Sequence, residues 1–487
     1  MAVVKKSPIL RPPYGDIDNI YTRRSFDLVP LGRIDRRYVQ DVHTHPARMV
    51  ALGFALAIVV GTTVLALPIS RAGDGAAPLL TALFTATSAV CVTGLAVVDT
   101  GTYWSGFGEV VILFLIQAGG FGIMTLASLL ALLVVGRLRL MTTLQAQAES
   151  KIGMGQVRGV LKRVALITVT VEAATALILA LRLWLGHGQS PGAAAYSGVF
   201  HAVSAFNNAG FGLYGDSLTG YAHDPWVLLP VSAAVILGGL GFPVILELLR
   251  QRRGGRRRTR TPRTWSLHLR LTLWLTGALL AAGTALTLLF EWSNPGTLGP
   301  LGSEDKALGA FFHSAMLRTA GFNASDISAM EPATLLGSCV LMFIGGGSAG
   351  TAGGIKITTF AVLGVAILAE VRGEPGAGIF GRRLAPQVLR QALTVALLGV
   401  AAVMASTIAL LAMVDARAEV VLFEAVSAFG TVGLTAGLTG ELAGPGQLII
   451  TALMFLGRVG PITLASALAL RHRTQRYRLP EERPIIG

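Results

Sequence analysis

Apolar residues in this chain come in long blocks rather than in the short alternations of a soluble fold. A bilayer core takes about 20 apolar residues in a helix. Runs of that length cover residues 49–68, 110–135, 164–185, 226–249, 271–290, 393–414 and 447–470. An eighth run, 333–369, is longer and is interrupted by a glycine tract. The pattern predicts eight spans in four pairs. Inside each pair lies a shorter, semi-apolar segment that cannot cross.

Composition agrees. The 487 residues are 53% hydrophobic and only 14% charged, with a mean hydropathy of +0.64, whereas an ordinary globular chain carries about 25% charged residues. Too few polar side chains exist to coat a water-soluble body, so the chain reads as an integral membrane protein. Disorder, collagen-like repeats and a secreted disulfide scaffold are excluded by the same figures. Cys91 and Cys339 both fall in apolar stretches and are expected to be unpaired. The N-terminus lacks an apolar core of signal-peptide length, so no cleaved signal is expected.

The net charge of +14 becomes informative once the basic residues are placed. Residues 1–48 hold nine, 137–163 six, 250–270 nine, 372–390 four and the tail from 471 five, together 33 of the 40. The opposite loops hold four: Arg71, Arg182, Lys306 and Arg417. Lysine and arginine accumulate on the cytoplasmic side. Both termini are therefore expected in the cytoplasm, and every short segment enters from outside. The excess charge reports orientation, or contact with anionic lipid or an acidic partner at 250–263; no nucleic-acid partner is expected.

Four of the short segments align without gaps: FTATSAVCVTGL from Phe84, FHAVSAFNNAGF from Phe200, FFHSAMLRTAGF from Phe311 and FEAVSAFGTVGL from Phe423. Each runs from Phe through nine residues to Gly. The glycines, Gly94, Gly210, Gly321 and Gly433, are 116, 111 and 112 residues apart. Near-equal spacing of four such matches predicts a fourfold internal repeat. Two spans per repeat return the chain to the same side, so the repeats are parallel and can surround an axis along the membrane normal. Odd-span repeats would give an inverted, rocking architecture instead. The expected fold is therefore all-α, with four parallel helix–pore-loop–helix repeats around a central pore, like a K⁺ channel. The expected divisions are a cytoplasmic arm 1–48, repeats at 49–136, 137–250, 251–371 and 372–470, and a cytoplasmic tail 471–487.

A stub of about two helical turns followed by irregular backbone is tolerated at membrane depth only where it is buried or lines a watery cavity. Repeated around an axis it yields rings of carbonyl oxygens that can replace the water around an alkali cation, and glycine supplies the positive-φ geometry this needs. The expected ion-binding residues are Val92, Thr93 and Gly94; Asn208, Ala209 and Gly210; Thr319, Ala320 and Gly321; and Thr431, Val432 and Gly433. Acidic rings of the kind used for divalent cations are missing. Asp99, Asp216 and Asp326 follow the first three glycines and either focus cations at an outer mouth or cap loops.

These segments, together with IQAGGFGIMT, FIGGGSAGTAGGIKITT and FLGRVGPITL, resemble those of the Trk/Ktr/HKT superfamily of potassium transporters over roughly residues 49–470. With one span before Phe84, the chain is most similar to the Ktr B-type membrane subunit. The resemblance implies K⁺-selective uptake across the cell inner (cytoplasmic) membrane, a homodimer with one pore per subunit, and a cytoplasmic ring of RCK-type subunits that carries the regulating nucleotide. Gly94, where Na⁺-favouring plant relatives commonly carry Ser, favours K⁺; Na⁺ enters as a candidate activator.

The resemblance also implies an intramembrane gate at Gly345, Gly346, Gly347, Ser348, Ala349, Gly350, Thr351, Ala352, Gly353 and Gly354, anchored by Lys356, with Arg458 restricting the pore. A GxxxG-like packing surface and a salt-bridged structural arginine are the plainer alternatives. Arg318 is expected to turn from the axis and brace the filter against Glu424 or another pore-helix acid. Glu172 is assigned to either a helix-packing hydrogen bond or function. His201 and His313 read as outer-mouth packing residues. Gly346-x-Ser348-x-Gly350 fits a nucleophile elbow, but that motif requires a strand-to-helix turn and positioned Asp and His partners; with no HExxH either, no enzymatic activity is expected. A Na⁺-permeable or Na⁺/K⁺-cotransporting member of the superfamily, and a rocking transporter of another solute, are the competing readings.

Overall fold

The computed structural model describes residues 46–122, 154–253, 265–374 and 376–460. The N-terminal arm, most of the basic segment 137–163, the core of the basic 250–263 cluster and the C-terminal tail lie outside them. The described residues form a helical membrane protein. Four short helices carry the sequence repeat: α2 (Leu79–Val90), α5 (Pro191–Phe206), α9 (Ser303–Met316) and α13 (Ala418–Gly430). The longest has 16 residues, about 24 Å at 1.5 Å per residue, short of a ~30 Å bilayer core.

Each short helix packs on the helix before it: α1 (Pro46–Leu65), α4 (Met154–His187), α8 (Leu267–Glu291) and α12 (Pro386–Leu411) respectively. Each is followed by a second apolar helix: α3 (Gly106–Gly122), α6 (Pro225–Leu240), α10 (Pro332–Phe343) and α14 (Gly444–Val459). Those second helices also lean on the next short helix in order. Thus α6 packs on α9, α10 on α13, and α14 on α2, while Gln117 of α3 is hydrogen-bonded to Asn207 just past α5. The contacts therefore close on themselves.

Local chemistry sets the helix starts. Ser190 accepts a hydrogen bond from the Ala193 N–H, with Pro191 at the first helical position of α5. Asp224 accepts from Trp226 at the head of α6, and Ser266 from Leu269 at the head of α8. These side chains satisfy amide groups the helix leaves open. The lead phenylalanines Phe84, Phe200 and Phe423 are fully buried, with Phe312 rather than Phe311 buried in the third segment. They anchor the short helices in the core.

Three helices are long and apolar enough to cross a membrane alone: Gly159–His187 within α4, Leu267–Glu291 and Pro386–Leu411. The expected span at 226–249 is two helices, α6 and α7 (Phe242–Arg253), bent by 97° at Gly241, whose φ is +91°. The expected span at 333–369 is α10 and α11 (Ile357–Val371) on either side of the glycine tract. Those at 110–135 and 447–470 continue beyond the described residues. A two-residue hairpin, β1 (Gly378–Ile379) with β2 (Arg382–Arg383), lies between α11 and α12.

Candidate ion-conduction site

Past each short helix the backbone changes hand twice. The residue two before each glycine and the glycine itself both have positive φ: Val92 (56°) and Gly94 (93°), Asn208 (60°) and Gly210 (72°), Thr319 (72°) and Gly321 (73°), Thr431 (50°) and Gly433 (92°). Alternating left- and right-handed residues swing successive carbonyls toward one side of the strand. The cost at a non-glycine residue is about 1–3 kcal/mol, and at β-branched Val92, Thr319 and Thr431 the surroundings must over-determine it. They do so through the helix ends. The Thr93, Ala209 and Val432 N–H groups donate to the carbonyls of Ser88, Ser204 and Ser427 at 2.8, 2.7 and 2.8 Å. The Gly94 and Gly433 N–H groups reach the hydroxyls of Ser88 and Ser427. The third segment has Ala315 in place of this serine; there Ala320 N–H donates to Met316 O at 3.0 Å.

The four glycines meet. A Cβ on Gly94 would lie 3.0 Å from Gly210 Cα, one on Gly210 2.9 Å from Gly321 Cα, one on Gly321 3.1 Å from Gly433 Cα, and one on Gly433 3.1 Å from Gly94 Cα. The added atoms would also strike the carbonyls of Ala209, Ala320, Val432 and Thr93. The four glycines and the residues just before them, Thr93, Ala209, Ala320 and Val432, are thus brought to one place. Among the described residues the buried hydroxyls of Thr93, Thr319 and Thr431 have no hydrogen-bond partner.

The glycine tract runs against the helix-end side of this cluster. Thr351 Oγ1 donates to Asn208 Oδ1 at 2.7 Å and reaches Phe206 O at 3.3 Å. A Cβ on Gly353 would run into Thr431 Oγ1, and one on Gly354 would sit 3.2 Å from Gly430 Cα. The tract is non-helical but tied down. Gly345 N–H donates to Ile355 O, Gly347 N–H to Gly239 O and Thr351 N–H to Gly238 O. Arg458 Nη1 donates to Thr351 O, and Lys356 Nζ to Ala352 O. Arg318 differs from expectation. Its guanidinium donates to Ile344 O at 2.9 Å and Gly345 O at 2.5 Å, while Glu424 is engaged with Thr435 and the Thr439 N–H. Carbonyls freed by a broken helix are nearer and need a donor, so Arg318 braces the tract rather than an acid.

One repeat went unread in the sequence. The second helices carry Gly119, Gly238 and Gly457 against the carbonyls of Val90, Phe206 and Phe429. The next positions are Gly120, Gly239 and, in the fourth, Arg458. The motifs AGG, LGG and LGR held the signal: Arg458 occupies a place that is otherwise glycine.

The three acids each make a local hydrogen bond, and Asp99 Oδ2 lies beside Gly215, the residue before Asp216. Asp99 accepts from Thr102 and Asp326 from Ser328, each closing its own turn, and Asp216 accepts from Thr219. A cluster absent from the sequence reading joins α4 to the start of α6, where Asp224 receives Arg182 at 2.6 Å and His187 at 2.8 Å. Burial pushes the Asp224 carboxyl up, but hydrogen bonds from His187, Arg182 and the Trp226 N–H outweigh it and hold the group below its ordinary value. His201 is buried, bonded to Ser197 O and stacked on Tyr214; His313 contacts Ser338. Cys91 and Cys339 are buried and free.

Comparison with known proteins decides the family. The family model described as "TrkH: Cation transport protein" matches residues 49–477. The chain belongs to that family. It is 41% identical over 456 residues, 93% of this chain and 99% of the relative, to the Ktr system potassium uptake protein B of Bacillus subtilis. It is 35% identical, over 91% of this chain and 97% of the relative, to the potassium/sodium uptake protein NtpJ of Enterococcus hirae. The crystal structure of the potassium transporter TrkH from Vibrio parahaemolyticus superposes with a TM-score of 0.64 at 18% identity, covering 86% of this chain and 84% of that one. The TrkH match places the fold among membrane cation transporters and reaches the tail beyond the described residues.

Proposed function

We propose that this chain is the membrane subunit of a K⁺ uptake system, conducting through a filter of backbone carbonyls. The observation that carries the reading is the mutual contact of Gly94, Gly210, Gly321 and Gly433, each with positive φ. Carbonyl rings replace a dehydrated ion's water without a formal charge, which suits a monovalent cation. Four parallel repeats, eight spans and cytoplasmic termini in the inner membrane follow from the hairpin parity and the 33-to-4 distribution of basic residues. Residues 345–354 act as the gate, held by Arg318, Lys356 and Arg458. The similarity to Ktr B proteins supports a homodimer governed by an RCK-type ring, with the nucleotide on that partner. The NtpJ relative, named for potassium and sodium, favours Na⁺ as activator or second permeant ion.

The test is growth rescue at low K⁺ in cells lacking K⁺ uptake, followed by K⁺ and Na⁺ flux in proteoliposomes. Wild type restores growth. Gly433→Ser or Gly94→Ser, at wild-type membrane levels, lowers the K⁺/Na⁺ flux ratio. An unchanged ratio in both variants would falsify the filter assignment.

A further inference from the structure

Glu172 is a carboxylate at membrane depth that the conduction site does not use. It projects from α4 and is 9% exposed. An ionisable group in that setting is costly and is retained for a reason. Its partner is Asn207, the first residue past α5 and 1% exposed. Asn207 Nδ2 donates toward Gln117 Oε1 of α3 at 2.8 Å, Val203 O at 2.9 Å and Glu172 Oε1 at 3.1 Å. Two hydrogens are thus shared by three oxygens contributed by three helices. At the other end of the amide, Asn207 Oδ1 is buried against Gly120, where a Cβ would collide with it, and has no hydrogen-bond partner among the described residues. The Nδ2 end carries all the hydrogen bonds that hold this side chain.

The next residue transmits this. Asn208 has φ +60° and opens the second filter strand. Its Nδ2 donates to Arg318 O at 3.1 Å, and its Oδ1 accepts from Thr351 of the glycine tract. Asn207 and Asn208 therefore form a joint between α3, α4, the filter and the tract. The corresponding positions elsewhere are Cys91, Arg318 and Gly430, so an acid-held amide exists only in this quarter.

We propose that Glu172 is a positioning residue for ion discrimination, acting on the second filter strand through the Asn207 side chain. The inference rests on the filter reading above. Without Glu172 the amide loses one of its three acceptor oxygens, and a buried donor left unpaired is costly. The strand from Asn208 to Gly210 then loses its fixed starting point.

The experiment measures K⁺ and Na⁺ flux through the purified full-length chain in proteoliposomes. Glu172→Leu is expected to lower the K⁺/Na⁺ ratio by at least about threefold. Glu172→Gln keeps an acceptor oxygen and retains the ratio. Asn207→Leu produces the same loss, and the double variant is no worse than Asn207→Leu alone, as required of residues acting in series. A packing role would change membrane level or total flux and leave the ratio alone. An unchanged ratio in Glu172→Leu, or additive losses in the double variant, overturns the proposal. Should Glu172→Leu fail to reach the membrane, Gln117→Leu decides, because it removes a second acceptor of the same amide; an unchanged ratio there overturns it too. Gly433→Ser in the same assay separates the two readings. A shifted ratio in that variant beside an unchanged one in Glu172→Leu removes only this inference, whereas no shift in any variant removes the filter itself.

Discussion

At the scale of single residues, positive φ decides what is tolerated. Gly210→Ala adds a methyl 2.9 Å from Gly321 Cα at φ +72°, so rescue of growth at low K⁺ should be lost with little gain in Na⁺ flux. The glycines were legible because only glycine enters these positions freely and they recur at near-equal spacing. The left-handed turn at Val92 was not legible, because a β-branched residue argues against it locally. It holds only through contacts made by other parts of the chain. Arg318 was misread for a similar reason: a sequence shows acids as partners for arginine and hides the carbonyls that a broken helix exposes. Arg458→Gln tests the opposite effect. It removes a charge-assisted bond to Thr351 O, of the kind worth about 1.5–3 kcal/mol, so basal K⁺ flux without any regulatory partner should rise. Flux at or below wild type would count against a gating role.

At the scale of elements, the glycine tract interacts with its neighbours through few groups. Thr351→Val deletes the hydroxyl that reaches Asn208 Oδ1 and Phe206 O. The tract's present position should be weakened by about 1 kcal/mol, seen as raised flux and faster proteolysis within 345–354. Gly353→Ala drives a methyl into Thr431 Oγ1 and should displace the tract from the fourth segment, again raising flux if the tract obstructs. The interruption was visible in the sequence as ten residues that make a poor helix. The 97° break at Gly241 was not, because GGLGF sits in an apolar run and hydropathy does not register direction. Its cause lies in the tract: Phe242 N–H donates to Ala349 O, and a Cβ on Gly241 would strike Ser348 O.

For the whole molecule, the membrane class was readable by counting, since long apolar runs and scarce charge reflect the cost of polar groups in hydrocarbon. The cluster around Asp224 could not be counted, because Arg182, His187 and Asp224 are brought together only by packing. It predicts an acid response of stability. The folded chain keeps Asp224 ionised to lower pH than an unfolded chain does, so its contribution is complete above about pH 4. The contribution then disappears as pH falls through the folded value. The thermal midpoint in detergent should therefore drop more steeply below about pH 4 in wild type than in Asp224→Asn. Equal slopes would remove the cluster from the stability account.

The glycine contacts also have a sense of rotation. The carbonyl that each corner would strike belongs to its successor in the chain, and the last corner returns to the first. A bulky replacement thus trespasses on the following quarter. Revertants of a damaged Gly94 should accumulate around Ala209, those of Gly210 around Ala320, and those of Gly433 around Thr93. A genetic screen would therefore recover compensating changes that circulate one way.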